Sequence, residues 1–244
     1  MPGPGRDDEV LHQIATRRFL TRLQLQELLH ADSTLTPRSR AVVTWRVLGR
    51  LQRLGFVAAT TRNAGGVPAG SSAPAYYLTT PGMRRVALSL RDLPRRRPAA
   101  RGTFLLAHSL LANEIELSFR RTARAATDEE LQLWESDWQI AMRLGEGASI
   151  VPDARLVYRC GQKRLHAFLE VDVGTEGTRY FAKKIPRYLD LYRSSAWRTF
   201  IPVWPLVLTV TPTDTRAQSL CSATYAALRY EYARPQTGST FRFI

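Results

Sequence analysis

Residues 166–173 alternate between two kinds of side chain, and this pattern constrains the fold more tightly than any other feature of the sequence. Successive side chains of a β-strand project from opposite faces, so the alternation predicts a strand with one face of Ala, Leu and Val side chains. The other face includes two carboxylates among its four residues, His166, Phe168, Glu170 and Asp172. A chain with a formal net charge of +14 thus gathers acids on one strand face.

Composition limits the class of protein. The chain has 244 residues, of which 44% are hydrophobic, enough for one large domain or two modest ones. Its first residues lack the pattern of a signal peptide, and no apolar run approaches the roughly 18 residues of a membrane span. Cys160 and Cys221 are far apart and lack metal-ligand spacing. We therefore expect a soluble, cytoplasmic protein without a membrane partner.

The positive charge is concentrated in the first part of the chain. Residues 1–101 contain 17 Arg, no Lys and 6 acidic residues, a net charge of +11, whereas residues 102–244 contain 18 basic and 15 acidic residues, a net charge of +3. A concentrated positive field attracts polyanions, and nucleic acid is the usual target. A genomic bias toward Arg codons would instead scatter guanidinium groups over a solvated surface. Composition leaves both interpretations open.

The basic part has the pattern of three helices followed by a β-hairpin. Apolar residues recur at helical spacing in three segments, and the third runs from Pro37 to Leu54 with a predicted buried stripe of Val43, Val47, Leu51 and Leu54. Strand-like residues 56–62 and 75–82 flank a tract rich in Gly and Pro. This order predicts a winged helix-turn-helix, and LGFV and YYLTTPG resemble the sequence around the wing in winged-helix proteins.

In winged-helix domains the third helix enters the major groove and the wing contacts the backbone or the minor groove. The resemblance therefore implies that the start of the third helix reads base edges, and the candidates are Thr36, Arg38, Ser39, Arg40 and Thr44. Phosphate contacts are expected from Arg46, Arg50 and Arg62. Two alternatives stay open, because an Arg-rich helix face can simply be solvated and winged-helix domains also serve as protein-interaction modules.

In the second part of the chain, the pattern of apolar residues predicts the element order αβββαβα. A long helix over residues 103–124 precedes three strand segments, at residues 131–144, 149–159 and 165–173. A helix of about sixteen residues then starts near Thr175, and we expect it to kink at Pro186. The last predicted elements are a buried strand and a closing helix, at residues 204–210 and 214–230.

This order, with Asp153 in the second strand and Glu170 and Asp172 in the third, resembles the core of the PD-(D/E)XK nuclease superfamily, which has a restriction-endonuclease-like fold. Alternation places Asp153 beside Glu170 across neighbouring strands. Carboxylates brought together stay ionised when a cation compensates them, and Mg²⁺ prefers hard oxygen ligands. The resemblance implies that Asp153 and Glu170 bind the metal, with Mn²⁺ as a substitute for Mg²⁺.

The superfamily has a lysine two positions after the glutamate, where this chain has Asp172. Some members supply the missing charge from the next helix, and Lys184 is the candidate here, because the chain contains only three Lys against 32 Arg. The alternatives are a Lys184 at the solvated edge of its helix and a structural network in which the acids pair with Arg155, Arg179 or the lysines. The candidate catalytic set is Asp153, Glu170, Asp172 and Lys184.

The winged helix and the segments HSLLANE, VPDA, FLEVDVGTE, KKIPRYLDLY and VLTVTPTDTRAQSL, in this order, resemble the replication-relaxation family of bacterial plasmids and integrative elements. The resemblance implies a mixed α/β protein with a winged helix domain over residues 1–92, a basic linker over 93–103 and a nuclease-like domain over 104–244. It also implies a double-stranded DNA-binding protein that acts in replication initiation or DNA relaxation.

Two hypotheses stay open for the nuclease-like domain. In the first, it nicks DNA with Mg²⁺ after the winged helix has delivered it to an origin or transfer locus. In the second, the protein is a non-catalytic regulator or replication partner with a degenerate nuclease scaffold, and Asp172 at the lysine position favours this hypothesis. The candidate protein partners are a second copy of the chain and replication proteins.

Overall fold

The computed structural model describes residues 5–60, 73–89, 103–232 and 241–243. Contacts divide the chain into two compact units, residues 1–118 and 119–244. The described residues form helices and two β-sheets, one of three strands and one of five, so the predicted mixed α/β class is confirmed.

The first unit follows the predicted order of three helices and a hairpin, with a short extra strand before the second helix. Its described elements are α1 (Arg6–Arg17), β1 (Leu20–Thr21), α2 (Arg22–His30), α3 (Pro37–Arg53), β2 (Val57–Ala59), β3 (Ala75–Leu78) and α4 (Thr80–Ser89). Helix α5 (Thr103–Ala125) begins in this unit and ends in the second.

Local side chains fix where α2 and α3 begin. Thr21 accepts a hydrogen bond from the backbone N–H of Gln24, and the Gln24 side chain accepts one from the backbone N–H of Thr21. Thr36 caps α3 in the same way by accepting from the N–H of Ser39 at 3.2 Å, and Pro37 follows at the first helical position, where no N–H is needed. These caps set the direction in which α3 leaves the loop.

The three-stranded sheet has β3 at its centre, paired antiparallel with both β1 and β2. Strands β2 and β3 are the two sides of the predicted hairpin, whose tip lies outside the described residues together with Arg62. After β3 the chain turns into α4, and Gly82 in the first turn of that helix passes close to the backbone of Phe56. A Cβ atom on Gly82 would lie 2.0 Å from the Phe56 carbonyl oxygen, so only glycine fits at this position. The turn places α4 against α1 and β3.

Part of α5 belongs to the first unit, whereas the sequence pattern places the start of the second domain at residue 104. The Arg17 guanidinium forms a two-pronged ion pair with the buried Glu116 carboxylate, at 2.7 Å from Nε and 2.6 Å from the terminal nitrogen. Asn113 donates to the carbonyl oxygen of Phe19 at 2.6 Å, and Gln24 donates to that of Leu110 at 3.0 Å. These buried polar contacts tie α5 to α1, α2 and the loop between them.

The second unit contains the five-stranded sheet and the helices around it. After α5 come β4 (Glu129–Ser136), α6 (Asp137–Leu144), β5 (Ala154–Cys160), β6 (Lys163–Val171), α7 (Thr178–Ala182), α8 (Lys184–Ser194), a 3₁₀ helix (Ala196–Thr199), β7 (Leu206–Val210), α9 (Asp214–Tyr232) and β8 (Phe241–Phe243). The strands lie in the order β4-β5-β6-β7-β8. The β4–β5 and β5–β6 pairs are antiparallel, whereas the β6–β7 and β7–β8 pairs are parallel.

Two predicted elements differ from the structure. The segment predicted as one strand over residues 131–144 is strand β4 followed by helix α6, whose first turn is closed by the Gln139 side chain accepting from the N–H of Ser136 at 2.9 Å. The helix predicted to kink at Pro186 is instead divided between α7 and α8 at Lys183, three residues earlier. Pro186 then lies in the first turn of α8, where its missing N–H costs no hydrogen bond.

Helix α8 packs between the sheet and α9. On one side Tyr188 and Leu191 contact Phe168 of β6 in a cluster that includes Val207 and two tryptophans. On the other side Ile185 and Leu189 pack with Leu220 and Leu228 of α9. Since α8 is held on both sides, its polar side chains near the end of β6 have little freedom to move.

The Arg17–Glu116 pair generates a stability prediction. Glu116 is fully buried and the Arg17 side chain is 7% exposed, so Arg17→Ala removes a two-pronged partner from a buried carboxylate and should lower the free energy of unfolding by about 3–5 kcal/mol. The double variant Arg17→Met, Glu116→Leu should recover most of that loss, because no charge stays buried. Urea denaturation measures both changes.

The half-exposed Arg85–Asp8 pair is the control, and Arg85→Ala should cost less than about 1 kcal/mol. Equal losses from Arg17→Ala and Arg85→Ala would contradict the assignment of the Arg17–Glu116 pair as the contact that holds α5 to the first unit.

Candidate functional site

Glu170 lies near the end of β6 and is the centre of a buried polar cluster in the second unit. Its side chain is 2% exposed. The Lys184 ammonium donates to Oε2 at 2.5 Å, and the Tyr188 hydroxyl donates to Oε1. Lys184 and Tyr188 are one turn apart on α8, so a single helix face supplies both donors.

Asp153 lies beside Glu170, as the strand alternation predicts. It immediately precedes β5, its N–H donates to the carbonyl oxygen of Leu169 at 3.0 Å, and its Oδ2 accepts from the N–H of Val171 at 2.7 Å. The residues on both sides of Glu170 therefore bind Asp153, which brings the two carboxylates together although they are seventeen positions apart.

Asp172 has a different partner. Arg216, in the first turn of α9, donates to both carboxylate oxygens of Asp172, at 2.7 and 2.9 Å, and also to the carbonyl oxygen of Glu176. The structure thus pairs Asp172 with a guanidinium that the sequence did not single out. Arg155, one of the expected partners, binds the buried Glu135 instead, at 2.7 Å.

The environment of the cluster shifts the pKa values of its members. Burial, and then the negative charge of Asp153, raise the pKa of Glu170 to about 7, against the opposing effects of Lys184 and Tyr188. Burial works to lower the pKa of Lys184, but the carboxylates of Glu170 and Asp153 outweigh it and raise the value. Burial also raises the pKa of Tyr188, so its phenol keeps the proton that it donates to Glu170.

The cluster offers two carboxylates to a cation and does not form a three-carboxylate centre. No group of three or more His, Cys, Asp or Glu residues within the described ranges is arranged to hold a metal ion. Asp153 and Glu170 offer the hard oxygens that Mg²⁺ prefers, and Mg²⁺ commonly uses one or two protein carboxylates. The strand register also places Thr209 beside Glu170, and its buried hydroxyl has no hydrogen-bond partner among the described residues.

Helix α3 presents the other candidate surface. Arg38 and Arg46 are exposed and form no ion pair or hydrogen bond with the described residues. Thr36 and Ser39 hold the start of the helix, and their side-chain oxygens lie 3.0 Å apart. No acidic residue occurs between Pro37 and Arg53, so α3 contributes only positive formal charge to this surface.

Three of the residues expected to contact DNA are engaged within the protein. Thr44 is 1% exposed and its hydroxyl contacts His30 at 3.2 Å, so it belongs to the core and is withdrawn from the base-reading set. The Arg40 side chain donates to the carbonyl oxygens of Leu35 and Ser33, which orders the loop before α3. Arg50 pairs with Asp7 of α1.

The predicted buried stripe of α3 is also partly wrong. Val47 and Leu51 are buried as expected, but the core includes Leu48, and Leu54 is 56% exposed. Because the buried face is rotated toward Thr44 and Leu48, the opposite face exposes Trp45. Sequence reasoning passed over Trp45, and the signal that could have found it is its position between two arginines of the same helix face, Arg38 and Arg46.

The pKa of Glu170 generates a pH prediction. The folded protein holds a proton on Glu170 up to about pH 7, whereas the unfolded chain releases it near 4.5, so this group makes the free energy of unfolding fall as the pH rises between these values. The difference in unfolding free energy between the native chain and Glu170→Gln should therefore fall from pH 5 to pH 7. Chemical denaturation at several pH values measures it.

Asp190→Asn, at an exposed carboxylate of α8, is the control for removing a charge from the same helix. The opposite result would be an unfolding free energy of the native chain that increases with pH relative to that of Glu170→Gln. It would mean that the ion pair with Lys184 outweighs the burial of Glu170, and it would contradict the raised pKa.

Comparison with known proteins places the chain in a family. A family model described as replication-relaxation matches residues 11–204, well over half of the chain. Neither the curated proteins nor the solved structures include a match to this chain. No helix within the described ranges is both long and apolar enough to cross a membrane. The match over residues 11–204 identifies the chain as a member of the replication-relaxation family.

Proposed function

We propose that the protein binds double-stranded DNA through α3 and acts in the replication or relaxation of a plasmid or integrative element. The observation that carries the proposal is the exposed face of α3, where Arg38 and Arg46 have no partner among the described residues. Guanidinium groups that no carboxylate neutralises remain available to phosphates and to the acceptor atoms of guanine. Family membership supports the replication or relaxation context.

The topology of the first unit supports a winged helix-turn-helix. Three helices precede the β2–β3 hairpin, and the short strand β1 between α1 and α2 pairs with β3. In such domains the third helix is the one that enters the major groove. The capped start of α3, at Thr36, places Arg38 in the first turn, where side chains of a recognition helix reach base edges. We therefore assign the base contacts to Thr36, Arg38 and Ser39 in this proposal. Arg46 contacts a phosphate.

The second unit supports a nuclease-like role as a further proposal. Strands β4, β5 and β6 form an antiparallel meander and β7 continues the sheet in parallel, an order that resembles the PD-(D/E)XK core. Asp153 and Glu170 would hold Mg²⁺ or Mn²⁺, which when bound lowers the pKa of a coordinated water and neutralises charge on phosphate. Lys184, from the neighbouring helix, donates to Glu170 and in this proposal supplies the positive charge that stabilises a phosphate oxygen, in place of the lysine expected at the position of Asp172.

In the competing proposal the protein binds DNA but does not cleave it, and the five-stranded sheet has only a structural role. Both oxygens of Asp172 are bound by Arg216, and both oxygens of Glu170 already accept hydrogen bonds, from Lys184 and Tyr188. A cluster satisfied in this way also stabilises a fold without any reaction. The two proposals share the DNA-binding first unit and differ only in whether DNA is cleaved.

The DNA-binding proposal predicts the effect of single arginine substitutions. Arg38→Ala should weaken binding to a selected duplex by about 1–3 kcal/mol and relax its sequence preference, because a base contact is lost. Arg46→Ala should weaken binding to all sequences alike and lower the slope of log K against log salt by about 1. Fluorescence anisotropy titrations at several salt concentrations measure both effects.

Arg84→Ala is the charge-matched control, because Arg84 is exposed on a different helix, α4, which packs against α1 and β3. If Arg38→Ala, Arg46→Ala and Arg84→Ala reduced affinity equally, binding would depend on the overall charge of the domain and the α3 proposal would be wrong.

The nicking proposal predicts different results for two adjacent lysines. The native protein with Mg²⁺ or Mn²⁺ should convert supercoiled plasmid to the open circular form, and Lys184→Met should slow this about 100-fold or more. Lys183→Met is the control, because Lys183 is exposed and should leave the rate unchanged. The concentration of Mg²⁺ or Mn²⁺ needed for the half-maximal rate should fall as the pH rises toward about 7, because the metal competes with the proton on Glu170.

Gel electrophoresis of plasmid samples over time and over pH measures the nicking rate. If the native protein bound the duplex but produced no open circular form with either metal ion, the non-catalytic proposal would replace the nicking proposal.

A further inference from the structure

One face of α3 carries a stripe of four exposed residues and one half-buried glycine. Its residues follow one another at intervals of four, three, four and four positions, which places them on one side of a helix: Arg38, Val42, Trp45, Gly49 and Arg53. The opposite side is the buried face formed by Thr44, Val47, Leu48 and Leu51. We call the exposed set the α3 stripe.

Trp45, at the middle of the α3 stripe, has no internal role in the first unit. Its side chain is 67% exposed, and neither an aromatic contact nor a hydrogen bond joins it to the described residues. Val42, one turn earlier, is 39% exposed. Large apolar side chains that cluster on a surface are typical of a contact with another molecule.

Gly49 supplies a second and independent observation. A Cβ atom placed on Gly49 would meet nothing within 4 Å, so no close contact inside the described protein requires a glycine there. Glycine in the middle of a helix lowers stability relative to alanine, because it loses more conformational freedom on folding. A residue that weakens α3 and serves no internal packing is explained if another molecule approaches the helix closely at that point.

The charges around Trp45 indicate the chemistry of that molecule. Arg38 lies at one end of the α3 stripe and Arg53 at the other, and Arg46 lies beside Trp45. An occupant with negative charge along its margins and an apolar surface between them would match this arrangement. The major groove of duplex DNA has phosphates along both edges and admits an α-helix, and the C5-methyl group of thymine is the apolar group on its floor.

We propose that Val42 and Trp45 contact thymine C5-methyl groups in the major groove, and that Gly49 lets α3 approach the bases closely enough for this contact. The inference rests on the proposed DNA binding through α3 and adds a preference for sites with thymine at the positions that face Val42 and Trp45. Arg38 and Arg46 then position the helix, while the apolar pair distinguishes thymine from cytosine, which lacks the methyl group.

The first experiment measures binding to duplexes in which single thymines have been changed, with the protein left unaltered. A binding site is selected from randomised duplexes with the full chain, and each thymine of the site is then replaced by uracil, which removes only the methyl group. Native protein should bind the uracil duplex about fourfold more weakly for each contacted thymine, since burial of one such group contributes about 0.8 kcal/mol. The Val42→Ala, Trp45→Ala double variant should bind the thymine and uracil duplexes equally.

Two further variants separate contact with DNA from a structural role. Gly49→Ala should keep or raise the thermal melting midpoint of the protein while weakening DNA binding. If Gly49 were needed only for the fold, its replacement would instead lower the melting midpoint. Tyr225→Ala, at an exposed aromatic residue of α9 in the second unit, is the control for Trp45→Ala, because Tyr225 is 65% exposed. It should leave the discrimination between thymine and uracil unchanged.

The outcomes also separate this inference from the function on which it rests. Equal binding of thymine and uracil duplexes by the native protein would overturn the inference while leaving DNA binding intact. Absence of duplex binding would overturn both. A dimer in sedimentation that Trp45→Ala dissociates, together with indifference to uracil, would assign the α3 stripe to a second copy of the chain and would also overturn the inference.

Discussion

The burial of one carboxylate organises the second unit. Glu170 is almost completely removed from water, and an ionised carboxylate in such a place is stable only with donors on its oxygens. Lys184 and Tyr188 supply those donors from α8, so the helix must lie against the end of β6 at a fixed rotation. The apolar contacts of α8 with the sheet and with α9 follow from that placement.

The same requirement gives the cluster its chemical character. Asp153 increases the negative charge next to Glu170, and the result is a carboxyl group with a pKa near neutrality beside a protonated lysine. The repulsion between the two carboxylates is offset in part by Lys184, which works to lower the pKa of Glu170. Asp172 is outside this balance, since Arg216 neutralises it separately. The Lys184–Glu170 pair and the Arg216–Asp172 pair are therefore two separate ion pairs near the end of β6.

Local patterns in the sequence were sufficient for much of the fold. The alternation around Glu170 predicted β6 and its pairing with the segment that contains Asp153, because both depend only on the period of a strand. Helix α6 was missed although Ser136 and Gln139 have the spacing of a helix start, since the apolar residues around them also suit a strand. The sequence pattern put the interruption of this helix at Pro186, whereas the break between α7 and α8 is at Lys183. Proline is compatible with the first turn of a helix as well as with a kink, so its position alone does not locate the break.

Contacts between distant segments could not be predicted in this way. No local pattern indicates that Arg216 reaches Asp172, forty-four positions away, or that Thr44 is buried against His30. The distinction between an arginine that orders a loop, such as Arg40, and one whose side chain is left exposed, such as Arg38, likewise depends on the loop geometry before α3. For α3 the sequence predicted the element and its charge, and the structure was needed to find its exposed face.

The central claim is that the exposed face of α3 is the surface that docks on duplex DNA. Hydroxyl-radical oxidation of side chains, followed by mass spectrometry of the free and DNA-saturated protein, measures this most directly. Trp45 should be oxidised readily in the free protein and become protected on the duplex, while Tyr225 and Tyr230, exposed on α9, keep their reactivity. Undiminished oxidation of Trp45 in the saturated complex would contradict the account.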